Sequence, residues 1–237
     1  MREFSISRVA SYMRYNYTVQ AKNYVWNVLS LFAVPLLFAV LAKDVTVVSE
    51  MSMFVYIVAA IVFPAREVWL MRDRSTRTIN MTLPVSNEER WVSMFINLAL
   101  IFPIVSMITS VLAFVVAEPF NLYGSPEATL GHLILAHFDE CYLEWYMYLF
   151  VQLLASSSLC LAIMARKSLV IAYVGAFVGV MVFMFIAVDT AIFSQWTIDI
   201  EVNLKTVEIV AKVIFALLPV LFYALSYVAL RKRQVKW

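Results

Sequence analysis

The run Trp91–Ala117, WVSMFINLALIFPIVSMITSVLAFVVA, decides the fold: 27 consecutive residues hold no Asp, Glu, Lys, Arg or His. Coiled as an α-helix it would rise about 40 Å, more than the roughly 30 Å hydrocarbon core of a bilayer. Outward from it, uncharged runs recur at Tyr24–Ala42, Met51–Ala65, Trp145–Ala165, Leu169–Val188 and Val213–Leu230. The second run would rise only about 22 Å, so its helix is expected to continue past Arg66 and Glu67 to Met71. Six spans are predicted, at about 24–42, 51–71, 91–117, 145–165, 169–188 and 213–230. Hydrophobic residues make up 63% of the 237 and charged ones 14%, against about a quarter charged in soluble domains. Four glycines and two cysteines exclude a collagen-like or disulfide-dense chain. The fold class is all-α integral membrane, with residues 24–237 as one transmembrane domain.

Basic residues orient the spans, because Lys and Arg are retained on the cytoplasmic side. With six spans, 15 of the 18 fall on the side of both termini, and only Lys43, Lys205 and Lys212 fall opposite. Both termini are therefore predicted in the cytoplasm. Tyr24, Trp26, Trp91, Tyr142 and Trp145 sit at span ends, where the headgroup layer favours them. The basic inner face suits a lipid surface, and nothing in the chain points to nucleic acid. No cleavable signal is expected, since 23 mostly polar residues precede the first run.

Residues 1–23 carry a helical pattern. Ile6, Val9, Ala10, Met13 and Tyr17 share one arc, with Arg8, Ser11, Arg14, Thr18 and Lys22 opposite and Tyr12 and Tyr15 towards the polar side. An amphipathic helix lying in the inner interface is predicted, burying the first set in lipid.

Arg66–Arg90 is the longest predicted cytoplasmic connection. Arg66, Glu67, Asp73, Arg74 and Arg77 project to one face, and Asp73 and Arg77 stand at the favourable acid-first i,i+4 spacing. Pro84 ends any preceding helix, and Ser86 with Glu89 has the spacing of a capping box, so the third helix is predicted to start at Ser86, outside the membrane. A loop that only joined two spans could be far shorter, which favours a docking role for Arg72, Asp73, Arg74, Ser75, Thr76, Arg77, Leu83, Pro84, Val85 and Ser86.

The order of interfacial helix, two spans, arginine-bearing loop ending in Leu83-Pro84-Val85-Ser86 and further spans resembles the permease subunits of six-helix ABC exporters, the type 2 permease family. The likeness implies a loop that docks on a cytoplasmic ATPase, a second permease copy or paralogue, and a partly re-entrant hairpin within Asp189–Lys212. It implies the bacterial inner membrane as the location. It also implies that ATP and Mg are handled by the partner ATPase, with no cofactor bound by this chain. The residues agree on one point: no GxxxxGK[ST] occurs.

With Glu50, Arg66 and Lys212 taken as span ends, the spans lack ionisable residues, which disfavours an ion-coupled carrier. Asn27, Asn97, Gln152 and Ser156–Ser158 are expected to join helices by hydrogen bonds. Gly175 and Gly179 form GxxxG, a helix-packing strip. Pro35, Pro103 and Pro219 are expected kink points. Cys141 and Cys160 stand too far apart along one helix to bridge. The competing function is a membrane-embedded enzyme or accessory protein in which His132, His137, Asp139 and Glu140 hold a metal; the five-residue histidine spacing argues against it.

Overall fold

The computed structural model describes residues 4–72, 85–121, 129–139, 142, 145–164 and 204–234. They are helical nearly throughout, with no strand among them. The elements are α1 (Ile6–Val19), α2 (Ala21–Ala42), α3 (Val47–Arg72), α4 (Asn87–Ile96), α5 (Phe102–Ala117), α6 (Leu130–Phe138), α7 (Trp145–Met164) and α8 (Leu204–Gln234). A π turn, Asn97–Ile101, joins α4 to α5 into one long helix.

Among the described residues, four helices are long and apolar enough to cross a membrane: Ala21–Ala42, Val47–Val68, Asn87–Phe120 and Met147–Met164. They carry the first four predicted spans. The fifth, with Gly175 and Gly179, lies outside the described residues, and the sixth falls within α8. Large apolar side chains point outward along the helices, among them Leu41 (70% exposed), Phe54 (61%) and Val220 (63%). Contiguous outward apolar surface of this kind suits a lipid-facing bundle.

Several boundaries shift for local reasons. α2 begins at Ala21, three residues ahead of the predicted span. The second span starts at Val47, not Met51: Asp44 Oδ1 accepts from the Thr46 backbone N–H (2.8 Å) and hydroxyl (2.7 Å), which tightens the turn ahead of α3. Lys43 closes α2 in the left-handed region at φ 56°. Residues 204–212, expected within a re-entrant hairpin, are the first turns of α8, continuous with the predicted sixth span.

Packing comes in three layers. At one end, which we call distal, Ala39, Val45, Val48, Ala113, Phe114 and Ala117 form a core that α6 covers with Leu130, Leu133 and Ile134. A middle layer joins Leu31, Tyr56, Ala60, Phe102, Leu154 and Ala155. The proximal layer joins Ala65, Val68, Met94, Leu98, Leu159, Ile163 and Tyr223. Both ends of the described chain reach the proximal face: the Ser5 N–H donates to Glu89, and the Tyr227 hydroxyl to Glu88.

The break in the third span follows from Pro103. Its missing N–H leaves the Ala99 carbonyl without a helical donor, and the chain widens just before it, with the Phe102 N–H bonded to the Asn97 carbonyl. α7 covers both carbonyls this releases. Tyr148 Oη donates to Ala99 O at 2.9 Å and Gln152 Nε2 to Leu98 O at 3.2 Å, while Tyr223 Oη of α8 donates to Gln152 Oε1 at 2.8 Å. Replacing Gln152 with Leu strands the Leu98 carbonyl and the Tyr223 hydroxyl together. We expect a loss of about 1–2 kcal/mol in unfolding measured in mixed micelles, and about half that for Tyr148→Phe, which strands one group.

The expectation that span polar groups join helices holds for Asn97 and Gln152, for Ser158, which donates to Ile61 O, and for Asn27, which receives Arg66. Ser156 and Ser157 instead donate to carbonyls of their own helix. Cys160 is a buried free thiol.

Candidate functional site

The proximal end concentrates the polar chemistry. α4 begins with the predicted capping box: the Ser86 hydroxyl accepts from the Glu89 N–H (3.2 Å), and Glu89 Oε2 accepts from the Ser86 N–H (2.8 Å). The same carboxylate also holds α1. Its Oε1 accepts from the Ser5 N–H at 2.9 Å and from Arg8 Nε at 2.8 Å, and Arg8 Nη2 lies 2.8 Å away. Glu89 is completely buried in this latch, although Arg8 is one-third exposed. It lies in the first turn, ahead of the apolar run that starts at Trp91. The Arg8 side chain and the two backbone N–H groups hold its carboxyl at about 2, below the usual carboxylate range. Because that value is depressed, the latch is complete above the ordinary carboxylate range and loosens only as pH falls towards about 2.

α1 is not the two-faced helix of the sequence reading. Val9, Tyr12 and Asn16 are its buried residues: Val9, expected at the edge of the lipid arc, packs inward instead, and Tyr12 and Asn16 stand between that arc and the polar one. Tyr12, placed towards the polar side by projection, is 2% exposed, and the Arg90 guanidinium carbon lies 6.0 Å from its ring centroid. Ile6, assigned to the lipid arc, is 77% exposed and remains available to lipid. The helix thus has a protein-facing strip between its lipid and polar sides.

Arg66 and Glu67 correct a second expectation. The helical projection puts them on one charged face with Asp73, Arg74 and Arg77, yet both bond into the bundle. Arg66 donates to Asn27 Oδ1 and Asn23 Oδ1 of α2, each at 2.8 Å. Glu67 Oε1 accepts from Tyr24 Oη at 2.9 Å and Asn97 Nδ2 at 3.0 Å, and Tyr17 of α1 donates to Asn97 Oδ1. The first residue of the π turn is therefore tied to α1, α2 and α3 at once. Val85 and Ser86 are described, as is the backbone of Arg72. Asp73, Arg74, Ser75, Thr76, Arg77, Leu83 and Pro84 lie outside the described residues.

At the distal end α6 separates the two histidines. His132 is exposed; His137 is 2% exposed, with Nδ1 2.9 Å from the Ser49 hydroxyl and its ring 5.3 Å from that of Phe114. Burial pushes the His137 imidazole down to about 4, so it is neutral at pH 7. Asp139 is exposed and Glu140 lies outside the described residues. Among the described residues no three His, Cys, Asp or Glu side chains come together as metal ligands. His137 works as a buried clasp between α6 and α3.

Comparison with protein-family models, with curated proteins and with solved structures finds no match to this chain.

Proposed function

We propose that this chain is the membrane subunit of an ATP-driven exporter. In this reading it has six spans and cytoplasmic termini in a bacterial inner membrane, pairs with a second permease copy or paralogue, and is driven by separate cytoplasmic ATPase subunits. The observation that carries the reading is the latch. The loop before α4 ends at Ser86, and three residues later Glu89 bonds both to that cap and to α1. A partner pressing on Arg72–Ser86 would thus move the interfacial helix and the foot of the third span as one piece. From there the load passes through Tyr17, Asn97 and Glu67 to the first two spans. Such a device suits work delivered from outside the membrane, because the chain has no P-loop of its own.

The test is recovery of the partner. Purified in lipid from its native source through a terminal tag, the chain should bring down an ATPase carrying a Walker A sequence, at one ATPase per permease. A chain recovered alone under conditions that keep it folded would contradict the proposal.

A further inference from the structure

The proximal polar groups lie at one depth. Tyr24, Glu67 and Asn97 stand 18 to 20 residues from Ala42, Val47 and Ala117 at the distal end, about 27–30 Å along each helix. That matches the thickness of a hydrocarbon core, so the cluster sits at the boundary where lipid headgroups begin. A partly open cleft there is lined by Gln20, Asn23, Tyr24, Asn27, Arg66 and Glu67 and has a cavity of about 10 Å³, the size of one water molecule.

Arg66 and Glu67 both face this cleft without pairing. Arg66 is bonded to two carboxamide oxygens and Glu67 to a phenol and a carboxamide, and neither meets an opposite charge among the described residues. Capacity remains on both: a guanidinium has five N–H donors, of which two are used, and a carboxylate has about four acceptor sites, of which two are used. Phe63 of α3 supplies the apolar part of the cleft wall, and on α2 Val28, one turn on from Tyr24, is 40% exposed beside it.

We propose that this cleft binds the headgroup of a phospholipid carrying a primary ammonium, as in phosphatidylethanolamine. The ammonium enters the water-sized cavity and donates to Glu67, the phosphate accepts from Arg66, and the acyl chains lie along α2. A trimethylammonium headgroup has no N–H to donate and is too large for the cavity, while a glycerol headgroup brings no cation to Glu67. The inference rests on the helical bundle alone and stands or falls separately from the transporter reading.

The experiment is native mass spectrometry of the purified chain after equilibration with equal amounts of phosphatidylethanolamine, phosphatidylcholine and phosphatidylglycerol. The parent should retain the ethanolamine lipid about tenfold over either other lipid, the effect of one charge-assisted hydrogen bond. Glu67→Gln should reduce it to the phosphatidylcholine level with helicity unchanged. Gln20→Trp leaves Arg66, Glu67 and their bonded partners in place while its ring fills the cavity, and should do the same should Glu67→Gln fail to fold. Equal retention of the three lipids by the parent, or undiminished ethanolamine lipid on a folded variant, overturns the proposal.

Discussion

Replacing Glu89 with Ala should release the interfacial helix and cost about 2–3 kcal/mol. The change deletes the return half of the capping box, worth about 1 kcal/mol, and the charge-assisted bonds to Ser5 and Arg8. The Arg8 share is discounted because that side chain is one-third exposed and its pairing is screened. The unfolding midpoint in mixed micelles should fall by about 5–10 °C. Trypsin should also cut after Arg8 and Arg14 in the variant while the parent resists. Arg8→Ala should cost only about 1 kcal/mol, since Glu89 keeps both N–H bonds from Ser86 and Ser5. Equal effects from the two substitutions would mean that the ion pair, and not the four-bonded carboxylate, holds α1.

What was legible in the sequence was local or periodic. The capping box could be read because Ser86 and Glu89 are three residues apart and the geometry is that of a single helix turn. Long uncharged runs located the four apolar helices, because desolvating a backbone in lipid leaves helix as the solution for an isolated segment. Glu89 could be read as a cap but not as a latch: Ser5 and Arg8 lie more than 80 residues away, and no period links them. Arg66 and Glu67 could be placed on a helix and on one charged face, but their neighbours could not be read. Projection gives the direction a side chain leaves its own axis, not what stands there, and here α2 supplied Asn23, Asn27 and Tyr24. Tyr12 failed for the same reason, since a two-sided wheel has no place for a strip that meets protein. Pro103 marked where the regular helix is interrupted, but the groups that cover the freed carbonyls, Tyr148 and Gln152, belong to another helix.

The larger effect is expected in the loop between α3 and α4. Reversing Arg74 and Arg77 to Glu removes two cations, which on our account face a carboxylate-bearing groove of the ATPase, and adds repulsion. Desolvated charge pairs at an interface are worth a few kcal/mol, so two reversals should lower affinity by at least a hundredfold. Pro84→Ala leaves both docking cations in the sequence. It removes the helix stop ahead of the Ser86 cap, so the upstream helix can run on and the load reaches α4 at a different angle. Binding should survive this substitution while transport-linked ATP hydrolysis falls.

The measurement that bears most directly on the account is therefore ATPase recovery and ATP hydrolysis for three proteins in lipid: the parent, the Arg74→Glu/Arg77→Glu double variant and Pro84→Ala. The account predicts that the parent binds and stimulates its ATPase, the double variant loses the ATPase on purification, and Pro84→Ala retains it with reduced hydrolysis. Should both variants retain the ATPase and hydrolyse ATP like the parent, Arg72–Ser86 is not the coupling element and the exporter reading is contradicted.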